Sequence, residues 1–163
     1  MPSSTHRKSK SGSQNDAELL DVLNRQLLAI LAEDARISVS ALARRVGMSA
    51  PAVRERILRL ERAGVIRGYR IDIDPAAVGL PVSAWVRVRP GPGQLRKVVE
   101  LAEQTPQVTE CYRITGEDCL LCKVHGPSVE ELESVLDGFL MFGQTTTSMI
   151  VATPVPTRAP AAP

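Results

Sequence analysis

The spacing of apolar residues changes period once along this chain, and that change demands two modules of different construction. Between Asp16 and Asp34, Leu20, Leu23, Leu27, Ile30 and Leu31 fall on one stripe at helical spacing, as an amphipathic helix requires. Beyond the turn-rich stretch Pro75 to Pro81, Val82, Ala84, Val86 and Val88 alternate with Ser83, Trp85, Arg87 and Arg89. That is the pattern of a half-buried strand. Aromatic residues make up only 3% of the sequence, so both cores must be built from Leu, Val, Ile and Ala.

The first module reads as helices with clear stops. Asn15 and Glu18 form a plausible capping box for the first helix. Ser38 is the candidate N-cap of a helix from Val39 to Val46, and Gly47 is a left-handed stop after it. Met48 leads to Ser49, a further N-cap, with Pro51 in the first turn where a missing N–H does little harm. A third helix then runs to Ala63 and stops at Gly64. Two helices separated by Gly47-Met48-Ser49 have the length and glycine placement of a helix-turn-helix. The following GVIRGYRIDID alternates imperfectly and reads as a β element beside it, a wing.

Charge is concentrated in this module. The whole chain carries +2, yet residues 36–70 hold nine arginines against only Glu55 and Glu61, a local balance of +7. Such a segment suits a polyanion, although a solvated helix face rich in arginine would carry the same charge. On the third helix, Val53, Ile57 and Leu60 share the inward face. Pro51, Arg54, Glu55, Leu58, Arg59 and Arg62 point outward, with Ala52 at the margin. In helix-turn-helix geometry the N-terminal part of the second helix of the motif enters the major groove. The expected DNA-facing set is therefore Ser49, Ala50, Pro51, Ala52 and Arg54 nearest the bases, with Ser38, Arg44, Arg45 and Arg59 around them. The arginines at 44, 45 and 59 suit phosphate contacts. Arg56 lies near the buried stripe, where a structural pair with Glu61 or an upstream acid competes with DNA contact. Leu58 is expected to pack on the wing or on a partner chain.

The second module continues with a helix after the Pro90-Gly91-Pro92-Gly93 turn, carrying Leu95, Val98, Val99, Leu101 and Ala102. Strands follow at Val108–Ile114 and Cys119–Val124, joined by the tight Thr115-Gly116-Glu117-Asp118 loop. A helix from Ser128 to about Met141 and a last strand at Thr146–Ala152 complete the order β-α-β-β-α-β, the ferredoxin-like split unit. The fold class is thus α+β, a winged helix-turn-helix followed by a ferredoxin-like domain. The expected divisions are a basic tail at 1–14, the DNA-binding domain at 15–74, a hinge at 75–81, the second domain at 82–152 and a Pro-rich tail at 153–163. Neither tail can bury enough apolar surface to fold alone, so both are expected to be mobile.

Several classes of function are excluded. No apolar run approaches the roughly 18 residues of a membrane span, and the basic, polar N-terminus is no secretory leader. Three cysteines cannot pair completely, so a disulfide scaffold is excluded and a cytoplasmic location is expected. Cys119-x-x-Cys122-x-x-His125 has zinc-like spacing. On a strand, however, Cys119 and Cys122 face opposite ways, and Cys119 and His125 lie about 20 Å apart. Small buried hydrophobes are the better reading of both cysteines, and no metal or cofactor is expected. The two histidines are His6 in the tail and His125 at a strand end. With no nucleophile elbow, phosphate-binding loop or HExxH motif, the chain is read as a non-enzyme.

The segment ISVSALARRVGMSAPAVRERILRLERAGVIRGYRIDID closely resembles the helix-turn-helix of the Lrp/AsnC (leucine-responsive / asparagine-synthase-regulator) family of transcription factors. TGEDCLLCKV and the closing FGQTTTSMIV are similar to that family's regulatory domain. The likeness covers roughly residues 19 to 152, with both halves in family order. It implies a regulatory domain that dimerises through its sheets, giving a homodimer and often an octamer. It also implies a small effector, usually an amino acid, bound near the loop between the second and third strands. By position that loop is Thr115, Gly116, Glu117, Asp118 and Cys119. Many members place glycine, two variable residues and then aspartate there; here Asp118 comes one position early and Cys119 stands in the aspartate's place. Glu117 and Asp118 could hold an ammonium group, and the hydroxyls of Thr145, Thr146 and Thr147 could serve its carboxylate. The expected function is an effector-responsive regulator binding double-stranded DNA, with an effector-free architectural DNA-binding protein as the alternative. A stand-alone amino-acid-binding or enzyme-regulating subunit, with the basic helix serving only for protein contacts, is disfavoured by the +7 segment.

Overall fold

The computed structural model describes residues 19–160. The expected capping box at Asn15 and Glu18, the basic tail and the last three residues lie outside the described residues. Two compact units are present, one reaching to Ile71 and including the chain from Pro156, the other spanning Asp72–Val155.

The first unit contains α1 (Val22–Glu33), α2 (Val39–Val46) and α3 (Ala50–Arg62). Each begins at a side-chain cap. The Asp21 carboxylate accepts from the Asn24 N–H at 2.7 Å, Ser38 from Ala41 at 3.1 Å and Ser49 from Ala52 at 3.4 Å. These caps satisfy donors that the first helical turn cannot pair internally. Gly47 closes α2 in the left-handed region at φ 67°, which a side chain would strain, and this lets the chain turn directly into α3. At eight residues α2 is too short to persist alone, so packing holds it. Leu27, Leu42, Ala43 and Val53 form the core, with Ile57 packed against it, and Leu60 is also fully buried. Burying each leucine contributes roughly 1.5–3 kcal/mol. The inward face expected for α3 is the one observed, and Leu58 remains at the surface.

The wing is the exception. Residues 65–74 lie where it was expected but form no strand among the described residues. A β element needs a neighbour's N–H and C=O groups. This segment has no ladder, and its Tyr69, Ile71 and Ile73 side chains are exposed. One local anchor is present: the Tyr69 hydroxyl donates to Glu61 Oε1 at 2.9 Å. The Pro75–Pro81 stretch is a turn as expected, with a 3-10 turn at Ala76–Val78.

The second unit is β1 (Val82–Pro90), α4 (Leu95–Gln104), β2 (Val108–Arg113), β3 (Leu120–Gly126), α5 (Val129–Leu140) and β4 (Gly143–Met149). The sheet has the order β2-β3-β1-β4 with every neighbouring pair antiparallel. Ala84, Val86 and Val88 of β1 and Leu120, Cys122 and Val124 of β3 are buried together with Val98, Ala102, Leu132 and Phe139 from the two helices. The alternating apolar residues of β1 therefore meet helices of their own unit. The opposite face carries Trp85, Tyr112 and Leu121, with the Trp85 and Tyr112 ring centroids 6.5 Å apart. The last strand starts at Gly143 rather than Thr146, because it pairs with β1 all the way to Pro90.

His125 makes this unit sensitive to acid. It is 6% exposed and its Nδ1 lies 2.7 Å from Ser83 Oγ. Burial first, and then the charge of Lys123, hold its pKa below the ordinary 6.5, with Glu110 opposing them. The folded state thus resists a proton that the unfolded chain takes up. The contribution of His125 to stability is constant above about pH 6.5 and falls as pH drops from there toward the folded pKa. Lowering the pH from about 7.5 to about 5.5 is expected to lower Tm, and His125→Gln to flatten that slope. Asp21 and Glu110 have lowered pKa values, so their losses come in a separate, more acidic window. An unchanged slope in His125→Gln would assign the effect elsewhere.

Candidate DNA interface and effector loop

Of the expected DNA-facing residues, Ser38, Arg44, Arg45, Ser49, Pro51, Arg54 and Arg59 are exposed, and Ala50 and Ala52 are half-buried. The two serines already cap helices, so any DNA role would be shared with a structural one. Arg44 and Arg45 occupy the last turn of α2, where the helix dipole favours cations. Among the described residues, the ion pairs of this unit's arginines are confined to Arg56 with Asp21 and Arg62 with Glu55. The guanidinium groups of Arg44, Arg45 and Arg54 are therefore uncommitted.

Arg56 is withdrawn from that surface. Its Nη1 donates to Asp21 Oδ2 at 2.6 Å and to Asn24 Oδ1 at 3.0 Å. Asn24 is itself 1% exposed and donates to the Leu19 carbonyl. The hydrogen bond from Arg56, reinforced by the Asn24 N–H, holds the Asp21 carboxyl below the usual carboxylate range. The partner of Arg56 is thus the upstream acid, while Glu61 is engaged by Tyr69.

The β2–β3 loop closes on a hydrogen bond from the Ile114 N–H to the Cys119 carbonyl at 3.0 Å. Gly116 takes φ 109°, a conformation that side chains rarely adopt. Thr115 and Glu117 are exposed, while Asp118 and Cys119 are half-buried. Both loop acids reach β1: Glu117 pairs with Arg89, and Asp118 Oδ2 lies 3.9 Å from Arg87 Nε. Composition alone had not marked these arginines. Strand alternation could have, since Arg87 and Arg89 occupy the outward positions of β1. Thr146 is opposite Arg87 and shares its face, whereas Thr145 and Thr147 point to the other face. Of the three hydroxyls, only that of Thr146 belongs with the loop acids. Two guanidinium groups beside two carboxylates match both ends of a zwitterion. As exposed pairs they contribute little to stability, about 0–1 kcal/mol each.

Cys122 and His125 project to opposite faces of β3, and Cys119 precedes the strand. No group of three or more His, Cys, Asp or Glu able to hold a metal occurs among the described residues. No described helix is long and apolar enough to cross a membrane.

A capped helix pair beneath free arginines, followed by a βαββαβ sheet with a charged loop, defines a DNA-binding regulator carrying a ligand-binding module. Residues 20–61 match the AsnC-type helix-turn-helix domain and residues 83–160 the Lrp/AsnC ligand binding domain. The chain is 39% identical to the HTH-type transcriptional regulator LrpA of Mycobacterium tuberculosis, over 73% of this chain and 80% of that protein. It is 30% identical to LrpC of Bacillus subtilis, over 80% and 91% of the two chains. Among solved structures, B. subtilis LrpC superposes with a TM-score of 0.81 at 29% identity, covering 85% of this chain and 99% of that one. A feast or famine regulatory protein from M. tuberculosis, complexed with L-methionine, superposes with a TM-score of 0.82 at 34% identity, covering 88% and 99%. The chain belongs to the Lrp/AsnC family. It is a transcriptional regulator with a DNA-binding and a ligand-binding domain, not an enzyme.

Proposed function

We propose that this protein is a sequence-specific DNA-binding regulator, working in the cytoplasm as a homodimer or an octamer of such chains, whose assembly or DNA affinity responds to an amino acid. The DNA-facing set is Ser38, Arg44, Arg45, Ser49, Ala50, Pro51, Ala52, Arg54 and Arg59. The effector loop is Thr115–Cys119, and residues 75–81 act as the hinge between domains at 15–74 and 82–152. The observation that carries the effector reading is the meeting of Glu117 and Asp118 with Arg89 and Arg87. An amino acid exchanges into such pairs at low cost, its ammonium on the acids and its carboxylate on the arginines. The relative complexed with L-methionine makes that amino acid the first to test. The half-buried Trp85 and the exposed Tyr112 on the sheet face away from the helices support pairing through the sheet.

Genome-wide footprinting with and without candidate amino acids tests the whole reading. Discrete protected sites that shift with an amino acid are expected. Uniform coverage indifferent to every amino acid would favour the architectural alternative. Light scattering of the full chain should give a dimer or a larger closed assembly, and a monomer would count against it. At the loop itself, calorimetry should detect an amino acid at millimolar concentration or below. Asp118→Ala should abolish that heat while leaving DNA affinity without effector nearly unchanged. Coupling between effector and DNA is expected at about 1–3 kcal/mol. Binding to Asp118→Ala as tight as to the unmodified protein would remove the loop from the site.

A further inference from the structure

The sequence reads Cys119 and Cys122 as small buried hydrophobes, but Cys122 meets Cys111 across the sheet. Cys111 on β2 is directly opposite Cys122 on β3, and their sulfurs lie 3.4 Å apart. Directly opposed residues of an antiparallel pair have Cα atoms about 4.5–5.5 Å apart. A disulfide accepts Cα separations of about 4.4–6.8 Å, so the register of these two residues is compatible with a bond between them. The two thiols sit in different surroundings. Cys122 is fully buried in the core beneath the helices, whereas Cys111 is exposed at the sheet edge, beside an open groove lined by Val99, Ala102 and Glu103. The Cys122 S–H donates to the Cys111 sulfur. Burial, together with Cys111, pushes the Cys122 thiol up to about 12, so at neutral pH Cys122 keeps its proton. Cys119 is outside this pair, beyond the start of β3.

We propose that Cys111 and Cys122 form a reversible oxidation site that takes hydroperoxides, with Cys111 as the attacked-from sulfur and Cys122 as the resolving one. The Cys111 thiolate attacks the distal peroxide oxygen. An S–O bond forms and the O–O bond breaks, with the alkoxide or hydroxide leaving as alcohol or water after taking a proton. The Cys122 sulfur then attacks the Cys111 sulfenic acid. The S–S bond forms as the S–O bond breaks, and the departing hydroxide takes the Cys122 proton to leave as water. Two thiols are oxidised and one hydroperoxide is reduced. The resulting bridge clamps the hairpin whose tip is the Thr115–Cys119 loop, and a dithiol reductant reopens it by exchange.

The test uses full-length protein and hydrogen peroxide at small molar excess, read by intact mass after denaturation and alkylation, and by peptide mapping. The expected result is loss of two hydrogens, protection of two thiols from alkylation, and a linked Cys111–Cys122 peptide that dithiothreitol reverses. Cys119→Ser should leave this product unchanged, and Cys111→Ser should abolish it. Because Cys111 is exposed, that variant keeps the core intact and does not depend on Cys122 being replaceable. Linkage through Cys119, linkage between chains, or sulfinic acid at Cys111 with Cys122 still open to alkylation would overturn the proposal.

Discussion

Raising the salt from about 50 to about 200 mM should weaken DNA binding by roughly 10³–10⁵ for a dimer that neutralises six to ten phosphates. The prediction follows from the nine arginines of residues 36–70 and from the exposure of all but Arg56. Each neutralised phosphate releases condensed counterion, and added salt opposes that release. Two substitutions divide the effect. Arg44→Ala removes a cation from the end of α2, away from the bases in this reading, and should weaken all sequences similarly while flattening the salt slope. Arg54→Ala removes a side chain from the early, outward part of α3 and should reduce discrimination between sites, by about 1–3 kcal/mol if it reads a base. Fluorescence anisotropy on a specific and a scrambled duplex, across a salt series, measures both. An affinity indifferent to salt would sink the interface assignment, and equal losses on both duplexes for Arg54→Ala would move that residue to the backbone.

Gly143→Ala should unfold much of the second unit's margin of stability. A Cβ at this position would lie 2.2 Å from the Arg89 carbonyl oxygen and 2.8 Å from the Pro90 Cα, both backbone atoms of the neighbouring strand. No side-chain rotation relieves that overlap, so β1 and β4 must separate where Pro90 and Gly143 pair. Overpacking of this kind costs about 3 kcal/mol. For a unit of this size that lowers Tm by on the order of 10–20 °C. Gly138→Ala is the control. Its Cβ would meet only the Leu101 side chain at 3.5 Å, an ordinary contact, and an alanine within α5 gains about 0.5–1 kcal/mol of helix propensity. Thermal unfolding should therefore separate the two variants in opposite directions. A Gly143→Ala protein as stable as its parent would show that the strands can part there without cost.

The local elements were legible because their signals are local. Ser38, Gly47 and Ser49 mark the ends of α2 and the start of α3 by side-chain and backbone chemistry within a few residues, and all three act as read. The inward face of α3 followed from 3.6-residue periodicity, and the strand at Val82 from alternation. The wing failed for a physical reason. Alternation states which side chains share a face but not whether another strand is present to pair, and residues 65–74 have none among the described residues. The last strand was displaced for a related reason, since its limits follow the length of β1 rather than any signal of its own.

What the sequence by itself determined is therefore the order of the helices and of the four sheet strands, the caps at Ser38, Gly47 and Ser49, and the buried faces of these elements, together with the basic character of residues 36–70. All of these depend on neighbours along the chain. The tertiary structure decided which distant side chains meet: Arg56 with Asp21, Arg87 and Arg89 with the loop acids, and Cys111 with Cys122. Those meetings depend on strand register and helix packing. A one-residue slip of register would send every side chain of a strand to the other face, and no single segment carries the information that prevents it.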